Sequence, residues 1–522
     1  MLVRIRSAAL SGIDALPVEV ETDVSQGLPS FTVVGLAGGA VREGADRVRA
    51  AVRNAGLPFP SRKVTVNLAP ADLRKEGGAL DLPIALSLLC AEGVIPAEAT
   101  EGVVVTGELA LDGSLRPSRG ALAVALLARD SGFPRVLVPS ANGAEAALVP
   151  GVRVVAAESL ARAVEILAGR ADPPPVPAPR EASRGEGGPD LSDVKGQAAA
   201  RRALEVAAAG GHALLLSGPP GCGKTMLAER LPGLLPPFRG DEALETARIY
   251  GASGEPPWPD PPVRRPFRAP HHSVSAAGLV GGGNPPRPGE ISYAHGGVLF
   301  LDEFGEFRRE AREALREPLE TGEIRIARAG AVLRFPARFH LVAATNPCPC
   351  GNGGHPRRVC RCPPSLREGW TRRLSGPLLD RVDLSLSLLP LEPEAWTGGE
   401  GGDGEDSAAV RRRVEACREV ERRRFGGGAE RLNGTARGTL SEWLAHLDGE
   451  ALALLRREGD RGGMSGREAG KVCRVARTAA DLAGEEKVRR PHVAEALSYR
   501  FRPSPEGWPG AGRLGEGRRP RS

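Results

Sequence analysis

The chain has 522 residues, 41% hydrophobic and 4% aromatic, with eight cysteines; that is enough for about three domains and too few cysteines for a disulfide framework. No apolar run approaches the ~18 residues of a membrane span, and Met1 to Val20 lacks a signal peptide's apolar stretch, so a soluble, cytoplasmic chain is expected. The net charge of +6 hides an asymmetry: residues 408–522 carry 25 basic and 16 acidic side chains, which suits a polyanionic partner or a merely solvated Arg-rich surface.

Three segments lack the apolar content to bury a core. Residues 171–190 are Pro-rich, then polar and Gly-rich; 397–407 form a Gly/acidic break; 503–522 form a basic tail. They read as a flexible linker, an interruption and a disordered end. The expected folded blocks are therefore 1–170, 191–396 and 408–502. In the first, Val18, Val20 and Thr22 alternate with Glu19 and Glu21, the pattern of a half-buried strand, and Lys63 to Leu68 is another. Val41, Ala45, Val48 and Val52 recur at helical spacing, and Asp81 to Ala91 is an apolar helix. This block is α/β or α+β.

The second block carries the chemistry. His212 to Ser217 reads as a short buried strand. It runs into Gly218, Pro219, Pro220, Gly221, Cys222, Gly223, Lys224 and Thr225, a complete G-x-x-x-x-G-K-[ST] loop, and a helix follows. The glycines let backbone N–H groups close around phosphate oxygens, and the helix N-terminus adds its positive dipole end. Lys224 would neutralise the β- and γ-phosphates of ATP, and Thr225 would ligate Mg²⁺. Gly297 to Glu303 (GVLFLDE) then describes a buried parallel strand with acids at its ligand-binding edge. Asp302 would hold Mg²⁺ through water, and Glu303 would polarise the attacking water. A further strand, Phe339 to Ala344, leads to Asn346, which either touches the γ-phosphate or lytic water or caps the turn before Pro347.

Glu323 to Phe339 reads as a β-hairpin. Ile324 and Ile326 flank Arg325, Ala329-Gly330 turns the chain, and Arg328 stands near the tip. Beyond it, Cys348-x-Cys350 and Cys360-x-Cys362 bring four thiols within fifteen residues. They either make a structural tetrathiolate Zn²⁺ site, with His355 as a substitute ligand, or stay free thiols; both pairs depart from the usual C-x-x-C spacing. The third block is helical. Val410, Val414, Cys417 and Val420 form an apolar stripe with Arg411 to Arg413 and Arg422 to Arg424 largely outside it, and Lys471 to Leu482 is a second helix.

Taken together, GPPGCGKT, GGVLFLDEF, LVAATNPCPCG and SGPLLDRVDL resemble the AAA+ ATPases related to the magnesium-chelatase I subunit, and most of all the YifB/ComM group. The resemblance spans nearly all of 1–500. It implies a P-loop AAA+ core with a parallel sheet, an N-terminal domain like the Lon protease and ribosomal protein S5 domain 2 fold, and a C-terminal helical lid. It further implies a homo-hexameric ring acting on DNA without sequence preference, most simply a branch-migration helicase in recombination or natural transformation. By the same resemblance Asn346 occupies the first sensor position. Arg381 is the arginine finger reaching the neighbouring subunit's ATP, and Arg467 is the second sensor, with Arg474 as the alternative. The stretch holding Arg264, Arg265, Arg268, His271 and His272 corresponds to an insert projecting towards the ring pore. The hairpin with Arg325 and Arg328 corresponds to one that contacts the DNA backbone. Ala79 stands where a Lon-type protease has its nucleophilic Ser, so the first block is non-proteolytic. Two other readings are a chelatase-like motor subunit working on a protein or tetrapyrrole-linked partner, and an ATP-gated scaffold with little turnover.

Overall fold

A computed structural model of the chain describes residues 2–35, 38–73, 75, 77–176, 188–253, 265–328, 331–374, 378–390, 404–426 and 431–501. Most of the expected linker and break, and the whole C-terminal tail, lie outside these residues.

The N-terminal part is built on a seven-stranded mixed sheet. Its strands are β1 (Leu2–Ser11), β2 (Asp14–Ser25), β3 (Ser30–Val34), β4 (Lys63–Ala69), β5 (Val103–Val105), β6 (Arg135–Pro139) and β7 (Arg153–Ala157), ordered β3-β4-β2-β1-β5-β6-β7. The alternation in β2 is the observed one: Val18, Val20, Thr22 and Val24 point into the core. Thr22 is buried because its hydroxyl meets Ser87 Oγ at 2.6 Å, which removes the cost of burying it unpaired. Ser87 lies on α2 (Asp81–Ala91), a helix buried on every side, as expected of a helix that is apolar all round apart from Asp81 and Ser87. Asp81 opens that helix. Burial pushes its carboxyl up to about 6, against the pull of Arg47, whose guanidinium spans both carboxylate oxygens. Lys75 is also fully buried, and its ammonium donates to the carbonyls of Gly35, Leu68 and Pro70. Those three acceptors match its three donors.

The middle part is a five-stranded parallel sheet, covered on both faces. Its strands are β8 (Leu214–Ser217), β9 (Phe267–Arg268), β10 (Val298–Leu301), β13 (His340–Thr345) and β14 (Leu384–Ser387), in the order β9-β10-β13-β8-β14. The antiparallel hairpin of β11 (Glu323–Arg328) and β12 (Ala331–Pro336) stands outside that sheet. Successive side chains of each strand feed two different cores. Leu214, Leu216, Val298, Phe300 and Val342 pack on one face, and Leu215, Leu299, Leu301, Leu341 and Ala343 on the other. Burial on both faces explains why the strands read as continuous apolar runs.

The C-terminal helices share the first of these cores. With the helices Gly39–Asn54, Asp81–Ala91, Ala121–Asp130, Leu160–Leu167, Ala198–Gly210, Lys224–Leu234, Asp241–Ser253, Arg316–Thr321 and Pro364–Leu374 as α1 to α9, α10 (Ser407–Phe425) contributes Val410, Val414 and Cys417. Val420 does not continue the stripe; it is 37% exposed, and Glu421 is buried instead. At 3.6 residues per turn, the position four beyond Cys417 faces the core and the position three beyond rotates out here. Arg424 also turns inward, spanning both oxygens of Asp481 on α12 (Gly466–Leu482). The helices Gly449–Gly462 (α11) and Arg490–Ser498 (α13) complete the bundle.

Candidate active site

The loop after β8 is shaped by backbone constraints that only glycine meets. Gly221 and Gly223 have φ of 80° and 89°, the left-handed region that side chains disfavour. A Cβ on Gly218 would sit 2.6 Å from Cys222 Sγ and 2.7 Å from Leu388 O. Helix α6 (Lys224–Leu234) starts directly at the end of this loop. Lys224 Nζ arches back over it, donating to the carbonyls of Gly218 (2.7 Å) and Pro219 (3.0 Å). It also donates to Asn346 Oδ1 at 3.3 Å.

Sheet order explains that last contact. β13 lies between the loop strand β8 and the acidic strand β10, so Asn346, the residue directly after β13, emerges between Lys224 and the two acids. Asp302 accepts from Thr225 Oγ1 at 3.2 Å through Oδ2 and from the backbone N–H of Glu303 at 2.8 Å through Oδ1. The hydroxyl and the carboxylate are thus adjacent hard-oxygen donors, the donor set that suits Mg²⁺. Glu303 adopts φ 51°, a left-handed conformation unusual for a non-glycine residue. Its carboxylate Oε2 lies 3.1 Å from His272 Nδ1, and the His272 ring packs on His271 at 4.1 Å between centroids. Trp370, on α9 (Pro364–Leu374), donates from Nε1 to the Asn346 carbonyl at 2.9 Å. Neither His272 nor Trp370 is singled out as a site residue by the sequence pattern. An adjacent His pair between the two phosphate-binding motifs is the signal that His272 offers; Trp370 offers none.

Arg381 and Arg467 stand elsewhere. Asp383 and Leu384 donate to Ala213 O, which puts Arg381 beside the start of β8, while the phosphate loop follows its end. A four-residue strand separates them by roughly 13 Å. Arg381 is ion-paired with Glu320, and Arg467 NH1 lies 3.3 Å from Asp380 Oδ2. Lys471 and Arg474, further along α12, reach Val382 O and Asp383. The structure therefore gathers Lys224, Thr225, Asp302, Glu303 and Asn346 at one end of the sheet and Arg381 with Arg467 at the other. A cavity of ≈ 830 Å³ opens at this second end, with Arg248, Arg338, Arg381 and Arg437 in its wall.

Two arginines of the insert prove to be structural. Arg265 is 8% exposed, pairs with Glu242 and donates to Pro236 O and Gly296 O. Arg268 spans both oxygens of Glu290 at 2.7 Å. Their charges are used inside the fold; Arg264 lies outside the described residues. On the hairpin, Arg325 is exposed and pairs with Glu323. Arg328 pairs through its backbone with Ala331; its side chain and the Ala329-Gly330 turn lie outside the described residues.

The four cysteine sulfurs of 348, 350, 360 and 362 all lie within 4.8 Å of one another. Burial pushes the Cys350 thiol up, but backbone N–H groups of Asn352 and Arg361 outweigh it and hold it down at about 6. His355 Nδ1 instead accepts from the N–H groups of Arg357 and Arg358.

A parallel sheet with a glycine-cradled lysine loop, an adjacent acidic strand and a polar residue between them defines a P-loop ATPase of the AAA+ class. The family model for the magnesium chelatase ChlI subunit matches residues 190–395; further models match a ChlI segment at 20–142 and the ChlI C-terminal region at 404–500. The chain is 43% identical over 505 residues to YifB of Escherichia coli, covering 95% of this chain and 96% of that one. It is 43% identical over 509 residues to the competence protein ComM of Haemophilus influenzae, covering 96% and 97%. A shorter match, 33% over 108 residues (21% of this chain, 14% of the other), is to a probable DNA helicase MCM9 of rice. The chain belongs to the magnesium-chelatase-like AAA+ family of the YifB/ComM type.

Proposed function

We propose that this ATPase is a homo-hexameric motor that moves along or remodels DNA, acting as a branch-migration helicase in recombination or natural transformation. The observation that carries it is the division of the site: the phosphate loop and acids lie at one end of the sheet, and Arg381 lies at the other, where it cannot reach its own chain's loop. A ring places one subunit's Arg381 against the next subunit's nucleotide, and that contact makes hydrolysis depend on assembly. Full-length similarity to a competence protein and the short match to a probable DNA helicase support the choice of DNA. Residues 1–170 serve as a non-proteolytic platform, 191–396 as the motor and 408–502 as the lid.

In the reaction, Lys224 balances the charge of the β- and γ-phosphates, while Thr225 and Asp302 hold Mg²⁺. The bound ion supplies charge neutralisation of the phosphate oxygens. Glu303 takes up and orients the attacking water, His272 steadies its carboxylate, and Asn346 fixes the γ-phosphate or that water. Arg467, beside Arg381, acts as second sensor across the same junction. Arg325 and Arg328 carry the hairpin's DNA-backbone contacts, and Cys348, Cys350, Cys360 and Cys362 hold a structural Zn²⁺.

The test is steady-state ATP hydrolysis with and without single-stranded and branched DNA, beside Glu303→Gln. Strong DNA stimulation that vanishes in the variant is expected. ATP binding with no DNA response would sink the DNA motor and favour the chelatase-like reading, in which a partner protein stimulates turnover.

A further inference from the structure

The segment from Asn346 to Trp370 forms a closed path around the catalytic end of the sheet. Asn346 contacts Lys224, and Pro347 and Cys348 follow at once. Cys348 Sγ is 3.4 Å from Cys350 Sγ and 3.6 Å from Cys360 Sγ, and Cys350 Sγ is 3.7 Å from Cys360 Sγ. Four thiolates around one Zn²⁺, each at about 2.3 Å, stand roughly 3.8 Å apart, so these three sulfurs already have the spacing of one tetrahedral ion, and the Cys362 sulfur lies within 4.8 Å of each of them. The backbone N–H of Gly353 donates to Cys348 Sγ at 3.1 Å, the type of outer contact that orients a metal-bound thiolate.

The path touches the site at three points. Gly351 has φ 77°, and a Cβ there would lie 2.8 Å from Pro220 Cδ, so the cysteine loop rests directly on the phosphate loop. Beyond Cys362, Pro363 leads into α9, where Trp370 donates back to the Asn346 carbonyl. The same indole lies under Gly305, two residues past Glu303; a Cβ on Gly305 would be 3.0 Å from the ring. Little apolar surface holds this loop in place beyond its buried start at Pro347 and Cys348. Its one large hydrophobic residue, Val359, is 84% exposed, so burial cannot set its conformation.

We propose that Cys348, Cys350, Cys360 and Cys362 bind one Zn²⁺ that locks this loop, and that the locked loop positions Asn346 and Glu303 for hydrolysis rather than adding to nucleotide affinity. The inference rests on the ATPase reading above and deepens it. The metal ties two strands of chain that would otherwise be independent: the one leaving β13 at Asn346 and the one entering α9. With both ends held, Trp370 braces the Asn346 peptide from one side and the Glu303 turn from the other. The four cysteines are positioning residues; none touches the reacting atoms.

The experiment uses the full chain purified without chelator. Zinc is counted by mass spectrometry and reactive thiols by a chromogenic reagent. Nucleotide Kd is read with a fluorescent ATP analogue, and kcat and KM by phosphate release. Wild type should carry close to one zinc per chain, and Cys362→Ser should lose it. With the metal gone, kcat should fall about tenfold or more, the range for loss of a metal's supporting contacts, while Kd stays within about twofold. Cys362→His keeps a zinc ligand and should restore both metal and kcat. Trp370→Phe, which keeps the ring and removes the hydrogen bond, should retain zinc and Kd and still lose several-fold in kcat, about what one buried hydrogen bond is worth. Wild type with four reactive thiols and no zinc overturns the metal site. Zinc-free Cys362→Ser with unchanged kcat, or with Kd and kcat weakened in parallel, overturns the positioning role. Wild type that binds ATP without turnover sinks the ATPase reading and the positioning role together, and the zinc count then decides the metal site by itself.

Discussion

Glu303 holds a backbone conformation that costs a non-glycine residue about 1 kcal/mol, and it does so where β10 ends and the sheet opens. The neighbouring carboxylate explains how the conformation persists: Asp302 Oδ1 takes the Glu303 N–H. The left-handed turn aims the Glu303 side chain at His272. If the strain serves the chemistry, Glu303→Gly should lose turnover and yet raise the denaturation midpoint, a stabilisation of about 1 kcal/mol measured by urea unfolding. Glu303→Gln keeps the strain and should lower kcat by about 100-fold or more with ATP binding retained, the usual scale for losing a group that acts only in the transition state. Lys224→Ala, by contrast, should abolish binding of the fluorescent nucleotide.

Among the elements, α10 and α12 share a buried polar contact, in which Arg424 spans both oxygens of Asp481. Glu421 faces Arg418 and Arg424 from its own helix, Asp481 from α12 and the backbone N–H of Asn433. Burial pushes the Glu421 carboxyl up to about 8 from an ordinary 4.5. The folded chain therefore keeps this proton where the unfolded chain has already lost it. The contribution of this one group to stability is full below about 4.5 and is lost as pH rises towards 8. Glu421→Gln should remove that slope and protect α10 and α12 at pH 8, with little change at pH 5, as read by hydrogen exchange corrected for intrinsic rate. The α12 start is set locally: Ser465 and Glu468 make a reciprocal capping box, which leaves Arg467 projecting from the first turn towards Asp380.

Across the whole molecule, the parallel sheet sets the phosphate loop and Arg381 at opposite ends. Every strand of the ATPase sheet runs the same way, so residues before β14 and residues after β8 must lie at opposite ends. Arg381 is thereby kept away from its own phosphate loop, and the proposed ring makes a direct prediction. Arg381→Ala and Lys224→Ala should each be nearly inactive, yet a mixture of the two should hydrolyse ATP faster than either. Such a mixture rebuilds junctions with one intact loop and one intact arginine. No recovery on mixing, with mixed rings verified by mass spectrometry, would show that Arg381 acts within its own chain. If Arg325 and Arg328 touch phosphates, removing both should weaken DNA binding without altering sequence preference and lower the salt slope by up to about 2.

The phosphate loop, the acidic strand, the buried helix Asp81–Ala91 and the alternation in β2 are all legible in the linear chain, because each is dictated by neighbours a few residues away: a glycine spacing, an apolar run or a two-residue period. The AAA+ class follows from the first two in order. What lies beyond such reach was decided only by packing. Arg265 and Arg268 look like a basic insert in sequence and are satisfied ion pairs in the fold, because their acids, Glu242 and Glu290, are more than twenty residues away. Val420 and Glu421 exchange places because helical phase, set by the contact with α12, outranks hydrophobicity at one position. His272 reaches Glu303, and Trp370 reaches Asn346, through the strand order of the sheet, and strand order is a property of the assembled layer that no local spacing encodes. The same order sends Arg381 away from its own nucleotide loop, since parallel strands separate their starts from their ends by the full height of the sheet.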